Sequence, residues 1–374
     1  MQIGVPKEIK NNEFRAGLTP NSVSELLKYK HQVFIEHNAG MGSGFNDEDY
    51  QKAGAIILDD AASIFEHSKL IIKVKEPQAI ETNKLRDHHT LFTYLHLAPD
   101  PEQTKQLLDS KACSIAYETV TNDLGQLPLL LPMSEIAGRM SIIAGASCLQ
   151  KNNGGSGVLL TGVPGVEPAI VVIIGAGVVG SNALLVASGM GARTLILDKD
   201  IQVLRKLEQR FGNKIQTYYA DQNNLRKCLQ QADLVIGAVL VAGAAAPKIV
   251  SRSDLQLMKP GSVIVDVAVD QGGCFETTKP TNHEAPTFIE NRIVHYCVAN
   301  MPGAYPRSST QALNTATLPY ILELANKGIK HTLSNNIHIR NGLHTVNGYL
   351  CNQAVAQAQK IDAISLEKAI SYLT

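Results

Sequence analysis

Residues 171–180 read VVIIGAGVVG, and the reading of this stretch decides the fold. An apolar, β-branched run leads straight into Gly175, Gly177 and Gly180, with Val179 just before the last. The spacing is GxGxxG. The first glycine permits a tight strand-to-helix turn, the second lets a pyrophosphate approach the backbone, and the third lets helix and strand pack closely. The helix N-terminus then faces the phosphates. Alone the pattern is weak, but here a helical NALLVASGMGA follows, and the next strand, RTLILD, ends in Asp198, about 20 residues on as the fingerprint requires. A carboxylate there accepts hydrogen bonds from a ribose diol and repels a 2′-phosphate, so the expected cofactor is NAD, with Lys199 beside it softening the discrimination.

Outward from this motif, IQTYYA, DLVIGAV, SVIVDVAVD and HYCVANM continue one α/β series. Ahead of it, QIGV, QVFIEH, AIIL, KLIIKVK, TLFTYLH and CSIAYET form another, with helices expected from Thr19-Pro20 and over 101–111. Strands alternating with helices imply parallel sheets with helical crossovers. Between the series, NNGGSGVLLTGVPGVEP (152–168) holds five glycines and two prolines and reads as a connector. Beyond Pro306 the pattern turns helical, with STQALNTATLPYILELANKG as one long amphipathic helix. That tail shows no strand set of its own and should pack back on the first domain.

Composition sets the outer limits. With 374 residues, 44% hydrophobic and 18% charged, the chain can build two ordinary cores. Lys+Arg and Asp+Glu both number 34, which leaves no net field for nucleic acid or an anionic membrane and favours small-molecule chemistry. The six cysteines are scattered without a CxxC pair, as suits reduced thiols rather than disulfides or a metal site. The start, MQIGVPKEIKNNEF, turns polar too soon for a signal peptide, and AIVVIIGAGVVG is glycine-broken and too short to span a bilayer. A soluble, cytoplasmic protein is expected.

Ligands of open α/β sheets lie outside the carboxyl ends of the strands. In the first series those ends carry Lys75, His96 and Glu118, and Arg15 follows the first strand. In the second series SVIVDVAV is read as ending in Asp270 and HYCVAN at Asn300-Met301. A histidine amid Leu, Phe and Tyr is usually a core residue, and isolated lysines and arginines are usually surface charges. Their joint placement at strand exits points elsewhere. Arginine grips a carboxylate with two parallel bonds, lysine holds the same anion or polarises a carbonyl, and histidine moves a proton near neutrality. If both carboxyl edges face one cleft, a nicotinamide and a small amino or hydroxy acid could meet there.

The sequence resembles the alanine dehydrogenases nearly end to end. The likeness is carried by MQIGVPKEIKNNEFRAGLTP, KVKEP, LFTYLHLA, AYETV, PMSEIAGRMS, GVLLTGVPGV, VVIIGAGVVG, DVAVDQGGCFETTKPTNH and VANMPGAYPRSST. The resemblance implies NAD-dependent, reversible oxidative deamination of L-alanine to pyruvate and ammonium. It implies that Arg15 and Lys75 bind the substrate carboxylate and carbonyl, that His96 is the acid/base and that Asp270 is the second catalytic group. It places Ser134, Asp198, Val239, Leu240, Val298 and Met301 around NAD, with Asn300 close to the nicotinamide. It also implies a homohexamer of two doubly wound α/β domains, in which a Rossmann NAD-binding domain (131–305) is inserted into a discontinuous substrate domain (1–130 and a helical 306–374). No metal is implied.

Two rival readings share part of the pattern. The nucleotide-binding subunit of proton-translocating transhydrogenase is similar in the Rossmann half, but that family carries an Arg-Gln-Asp loop where PMSEIAGRMS stands here. A catalytically silent NAD-sensing module would lack the polar set that this chain keeps. The chain departs from the common family pattern at Ala242 and Ala245, where proline and lysine are frequent, and at Val203 and Ala220, where polar residues are. These departures bear on the tightness of cofactor binding, not on its identity.

Overall fold

The computed structural model describes residues 1–239 and 246–373. The chain divides into two compact units, Met1–Pro132 with Tyr305–Thr374, and Met133–Ala304. The second is thus inserted into the first.

The first unit is built on a mixed sheet. Its strands are β1 (Gln2–Val5), β2 (Gln32–Glu36), β3 (Ile56–Leu58), β4 (Leu70–Ile72), β5 (Thr90–Thr93) and β6 (Cys113–Ala116), which all run parallel. The second sheet has β7 (Ile170–Ile174), β8 (Arg193–Asp198), β9 (Ile215–Tyr219), β10 (Leu234–Gly237), β11 (Val263–Asp266), β12 (Thr287–Glu290) and β13 (Ile293–Tyr296). Strands β14 (Leu343–Val346) and β15 (Tyr349–Leu350) belong to the C-terminal segment and extend the first sheet beyond β6. The spatial order is β3-β2-β1-β4-β5-β6 in one unit and β9-β8-β7-β10-β11-β13 in the other. In both, the direction of winding reverses between the first and fourth strands of the series, which makes that gap the topological switch point where α/β sheets bind ligands.

Burial follows the pleat. In β7, Val171 and Ile173 pack into one apolar cluster while Val172 and Ile174 pack into another on the opposite face. A strand covered on both faces needs a continuous apolar run, which is why IVVII carries no polar residue. The helix Pro20–Lys28 starts where Thr19 accepts from Ser22 N and proline takes the first position, whose missing N–H costs nothing there.

Several expectations need correction. The tail after Pro306 is not wholly helical: after the helix Pro306–Lys327, β14 pairs antiparallel with β6 and β15 with β14. These short strands mix polar with apolar residues between turn residues, so no apolar run marks them. Strand β12, antiparallel at the other sheet's edge, is a further addition. Strand ends also fall earlier than the apolar runs suggest. Strand β11 stops at Asp266, and Asp270 sits in a short 3₁₀ turn, Val269–Gln271, rather than at the strand's end. Likewise β13 stops at Tyr296, ahead of Asn300.

The third glycine of the fingerprint gives a stability prediction. A methyl at Gly180 would come 1.8 Å from the Gly175 carbonyl oxygen, a backbone atom that cannot rotate away. Gly180→Ala should destabilise the inserted unit by at least about 1–3 kcal/mol and weaken NADH binding. Thermal melting with NADH titration checks this; a native melting temperature and affinity would contradict it.

Candidate active site

At the switch point of the first sheet, the loops leaving β1 and β4 carry Arg15 and Lys75. Arg15 is only 2% exposed and is gripped by Glu13, with Nε donating to Oε1 at 2.6 Å and Nη2 to Oε2. Burial opposes its charge, but the Glu13 carboxylate more than offsets this and holds the guanidinium above its usual value. Beneath the β4 exit, Glu8 Oε1 accepts from Val74 N at 2.7 Å and Lys75 N at 3.3 Å. Thr93 donates to the Lys75 carbonyl at 3.0 Å, so the Lys75 backbone is held from both sides. Glu8 is itself fixed by Lys73, a wholly buried ammonium 3.1 Å from Glu8 Oε2 and 2.7 Å from Glu81 Oε1.

Lys75 is half-buried, and its ammonium is held below the usual lysine range, chiefly by burial and further by the charges of Arg15 and Lys10. Glu76, paired with Lys10, acts the other way. Two cations close enough to perturb one another form a site that gains by taking up an anion.

His96 lies just beyond β5 in the left-handed region, with φ of 51°, a conformation unusual for a residue bearing a Cβ. Glu118 holds it there, accepting from His96 N at 2.7 Å and from Leu95 N at 3.2 Å. The imidazole keeps 40% of its surface exposed and lies parallel to the Tyr94 ring, with centroids 5.8 Å apart. Its Nδ1 is 4.0 Å from Glu118 Oε1, which leaves Nε2 as the nitrogen directed away from that carboxylate. Tyr94 is buried, its hydroxyl donating to Leu129 O at 2.5 Å. His96 is therefore not a core histidine. From the C-terminal segment, buried His344 bonds Thr119 Oγ1 and Asn352 at 3.1 Å each. Burial holds it below the usual histidine range, against the opposing charge of Glu118.

The inserted unit carries the nucleotide features. Gly175 has φ of 98°, and a Cβ there would meet the Ala238 oxygen at 2.8 Å. At Gly177 a Cβ would meet nothing within 4 Å, so the space above that backbone is open. Gly177 caps the helix Val178–Gly189 without a side chain, leaving N–H groups of the first turn for an acceptor. Asp198 Oδ2 accepts from Ala176 N at 2.6 Å and Oδ1 from Asp200 N at 2.8 Å, which spends one lone pair on each oxygen and keeps the others for a diol. These residues fit a dinucleotide.

Val179, Val298 and Met301 are buried, whereas Val239, Asn300 and Ser134 are half-buried. The Asn300 carbonyl accepts from His283 Nε2 at 2.8 Å. Ser134 stands in the helix Leu131–Cys148, which packs so closely on the nucleotide helix that a Cβ at Gly138 would lie 2.2 Å from the Val179 oxygen. Asp270 is exposed on its 3₁₀ turn. Leu240, Ala242 and Ala245 lie outside the described residues. Val203 sits in the first turn of the helix Ile201–Phe211, packed against the core, and Ala220 N donates to the Asp198 carbonyl at 2.9 Å. Sequence reasoning missed Glu8, Glu13, Lys73, Glu81 and Asp266. The available signal was a charge inside an apolar run, as in LIIKV and VIVDVAV.

The fold and the two constellations define a class: an α/β protein with a dinucleotide fingerprint in an inserted domain, and cations plus an imidazole at the ligand edge of the other. Family models described as "Alanine dehydrogenase/PNT, N-terminal domain" and "Alanine dehydrogenase/PNT, C-terminal domain" match residues 4–137 and 141–353. The chain belongs to the alanine dehydrogenase/PNT family. It is 52% identical to the alanine dehydrogenase of Halomonas elongata, over 98% of this chain and 100% of that one. Its identity to the alanine dehydrogenase of Methanococcus maripaludis is also 52%, over 99% and 100%. A solved L-alanine dehydrogenase superimposes with a TM-score of 0.93 at 49% identity, covering 96% of this chain and 99% of that one. The transhydrogenase of Sinorhizobium meliloti shares the fold, with a TM-score of 0.81 at 22% identity over 95% and 100% of the two chains.

The depressed Lys75 ammonium gives a pH prediction. A lysine whose value is lowered is charged at low pH and loses its proton as pH rises, at a pH below the ordinary 10.5. KM for a carboxylate substrate should therefore rise with alkalinity before ordinary lysines titrate, and Lys75→Arg should remove that limb because a guanidinium stays charged. KM measured from neutrality upward for both proteins checks this; an identical alkaline limb in Lys75→Arg would assign it to another group.

Proposed function

We propose that the chain catalyses the NAD-dependent, reversible oxidative deamination of L-alanine to pyruvate and ammonium. The observation that carries the reading is the arrangement at the β1/β4 switch point: a buried guanidinium and a half-buried ammonium, with the half-exposed imidazole of His96 on the next strand's exit. That set fits a small amino acid's carboxylate and a proton-transfer group, and the chain's full-length identity to alanine dehydrogenases fits the same substrate. Against the lower identity to a transhydrogenase, it favours an amino-acid dehydrogenase over a transhydrogenase subunit, and the intact polar set disfavours a silent NAD sensor.

Arg15 and Lys75 hold the substrate carboxylate, and Lys75 also polarises the carbonyl of pyruvate in the reverse direction. NAD would be held by Gly175, Gly177, Val179, Gly180 and Asp198, with Ser134, Val239, Val298, Asn300 and Met301 around it, and would supply the hydride acceptor. His96, through Nε2, takes the proton that alanine's ammonium must lose before its α-carbon can be oxidised. Water adds to the resulting iminium, and His96 then moves the proton from the added hydroxyl to the departing nitrogen. Asp270 orients that water and favours the cationic iminium. The proposal extends, on family resemblance, to a cytoplasmic homohexamer. Among the described residues no helix is long and apolar enough to cross a membrane.

NADH formation with alanine and NAD, compared with serine, glutamate and lactate, tests the activity directly; faster turnover of glutamate or lactate would overturn the substrate. His96→Ala should cost on the order of 10²-fold or more in kcat while the protein still folds and binds NADH. Near-native turnover in that variant would remove the acid/base role. Asp198→Ala should weaken NAD use and relax discrimination against NADP. A wild-type protein that reduces NADP as readily as NAD would contradict the reading of Asp198.

A further inference from the structure

We propose that Asp266 is a positioning residue for the reaction: its buried carboxylate fastens both ends of the loop that presents Asp270. Strand β11 ends at Asp266, which is 0% exposed. Its Oδ1 accepts from Ala268 N at 3.1 Å, at the start of the loop. Its Oδ2 accepts from Cys274 N at 2.8 Å, at the loop's end, and from the Thr278 hydroxyl at 2.8 Å. Asp270 stands between these two fastenings, on the 3₁₀ turn Val269–Gln271, and Gly272 and Gly273 then bring the chain back at φ of 97° and 78°. A Cβ on Gly273 would lie 2.5 Å from Asp266 Oδ2 and 2.4 Å from the Thr278 oxygen, so the loop closes directly onto the carboxylate. Lys248 adds a second tie by donating to the carbonyls of Gly272 and Phe275.

The donor set explains why a carboxylate stands here. Two N–H groups and one hydroxyl converge on two oxygens, and only an ionised acid presents acceptors on both arms. Burial raises the Asp266 carboxyl against its three donors and the nearby charge of Lys248, so keeping it ionised works against solvation. Among the described residues no cation bonds it. The loop gains a fixed path in return. An asparagine would turn one arm into a donor, set it against the Cys274 N–H or the Thr278 hydroxyl, and release one end of the loop. The exposed Asp270 would then lose its register by up to about 1 Å, a displacement that matters for a reacting group.

The inference rests on the role proposed for Asp270, and the experiment separates the two. Single-turnover rates at high enzyme concentration are measured with alanine and NAD for Asp266→Asn, Asp270→Asn, the double variant, Thr278→Val and Thr278→Ser. NADH affinity by fluorescence and thermal melting are measured alongside. Asp266→Asn should lower the chemical rate by about 10- to 100-fold, the scale of a misplaced catalytic group, with NADH affinity unchanged. Added to Asp270→Asn it should cost little more, because a loop without its carboxylate has nothing left to position. Thr278→Val should lose part of the rate and Thr278→Ser should restore it. A full rate in Asp266→Asn with only a lower melting temperature overturns the proposal, as do losses that multiply in the double variant. If Asp266→Asn does not fold, equal rates for Thr278→Val and Thr278→Ser overturn it. Near-native turnover in Asp270→Asn overturns the role of Asp270 and this inference with it, whereas a crippled Asp270→Asn beside an intact Asp266→Asn overturns this inference alone.

Discussion

Where a strand leaves its sheet, backbone N–H groups lose their ladder partners and must find others if they stay out of water. In this protein carboxylates meet that demand at several exits that carry candidate functional groups. Glu13 accepts from Arg15 N, Glu8 from Val74 N and Lys75 N, and Glu118 from Leu95 N and His96 N. In the inserted unit, Asp198 accepts from Ala176 N in the glycine turn, and Asp266 accepts from Ala268 N and Cys274 N. Ionised acceptors make stronger bonds than neutral ones, so each exit has a defined path while the side chain it presents stays available. The left-handed backbone of His96 persists for this reason: two N–H groups point into one carboxylate and over-determine the turn.

Those acids need compensation in turn. Glu8, Lys73 and Glu81 are all buried, and one ammonium between two carboxylates leaves the group short of positive charge. Burial raises the Glu8 carboxyl while Lys73 draws it down, and Lys73 is held above its usual value by the two acids despite the burial that opposes it. Removing one partner from such a group leaves an uncompensated buried charge, which costs far more than an exposed pair contributes. The Lys75 backbone is thus mounted on a layer that is electrostatically demanding and hard to rearrange, which suits the proposed role of holding an anion at a fixed height above the sheet.

The sequence made the parallel strands and the fingerprint legible because both leave dense local signals. A fully buried strand is a run such as IVVII, and GxGxxG has a fixed spacing. Arg15, Lys75, His96 and Glu118 were visible as polar residues at the ends of such runs. The ends themselves were misplaced by about four residues at both β11 and β13, since an apolar run continues into an exit loop whose side chains still face the core while its backbone has left the ladder. Strands β12, β14 and β15 were illegible for another reason: β12 and β15 are edge strands, and the four residues of β14, LHTV, mix polar with apolar side chains between turn residues, so neither periodicity nor composition separates them from loops. Glu8 was missed because its partner, the Val74 amide, lies 66 residues away in sequence, whereas Glu13 and Asp266 bond amides within a few residues and were missed because nothing in a short loop marks which acid folds back on its own backbone.

The two units share one strand order yet offer an anion different partners at their switch points, and the local sequence after the first strand decides which. In the inserted unit β7 runs at once into Gly175 and Gly177, and the helix that follows is capped by a residue with no side chain, so its first N–H groups remain for a phosphate. In the other unit a long loop separates β1 from the helix Pro20–Lys28, and that helix is capped by its own Thr19, whose hydroxyl occupies the Ser22 N–H. Proline at its first position removes one more donor. The helix terminus is thereby closed to a ligand, and an anion at this switch point must be met by side chains. The loop that displaced the helix supplies one in Arg15, and the opposite strand supplies the other in Lys75. A point charge and a planar fork suit a small carboxylate, which is held at one end, better than a row of backbone amides suited to an extended pyrophosphate. The division of labour between the units thus follows from where each helix begins relative to its strand.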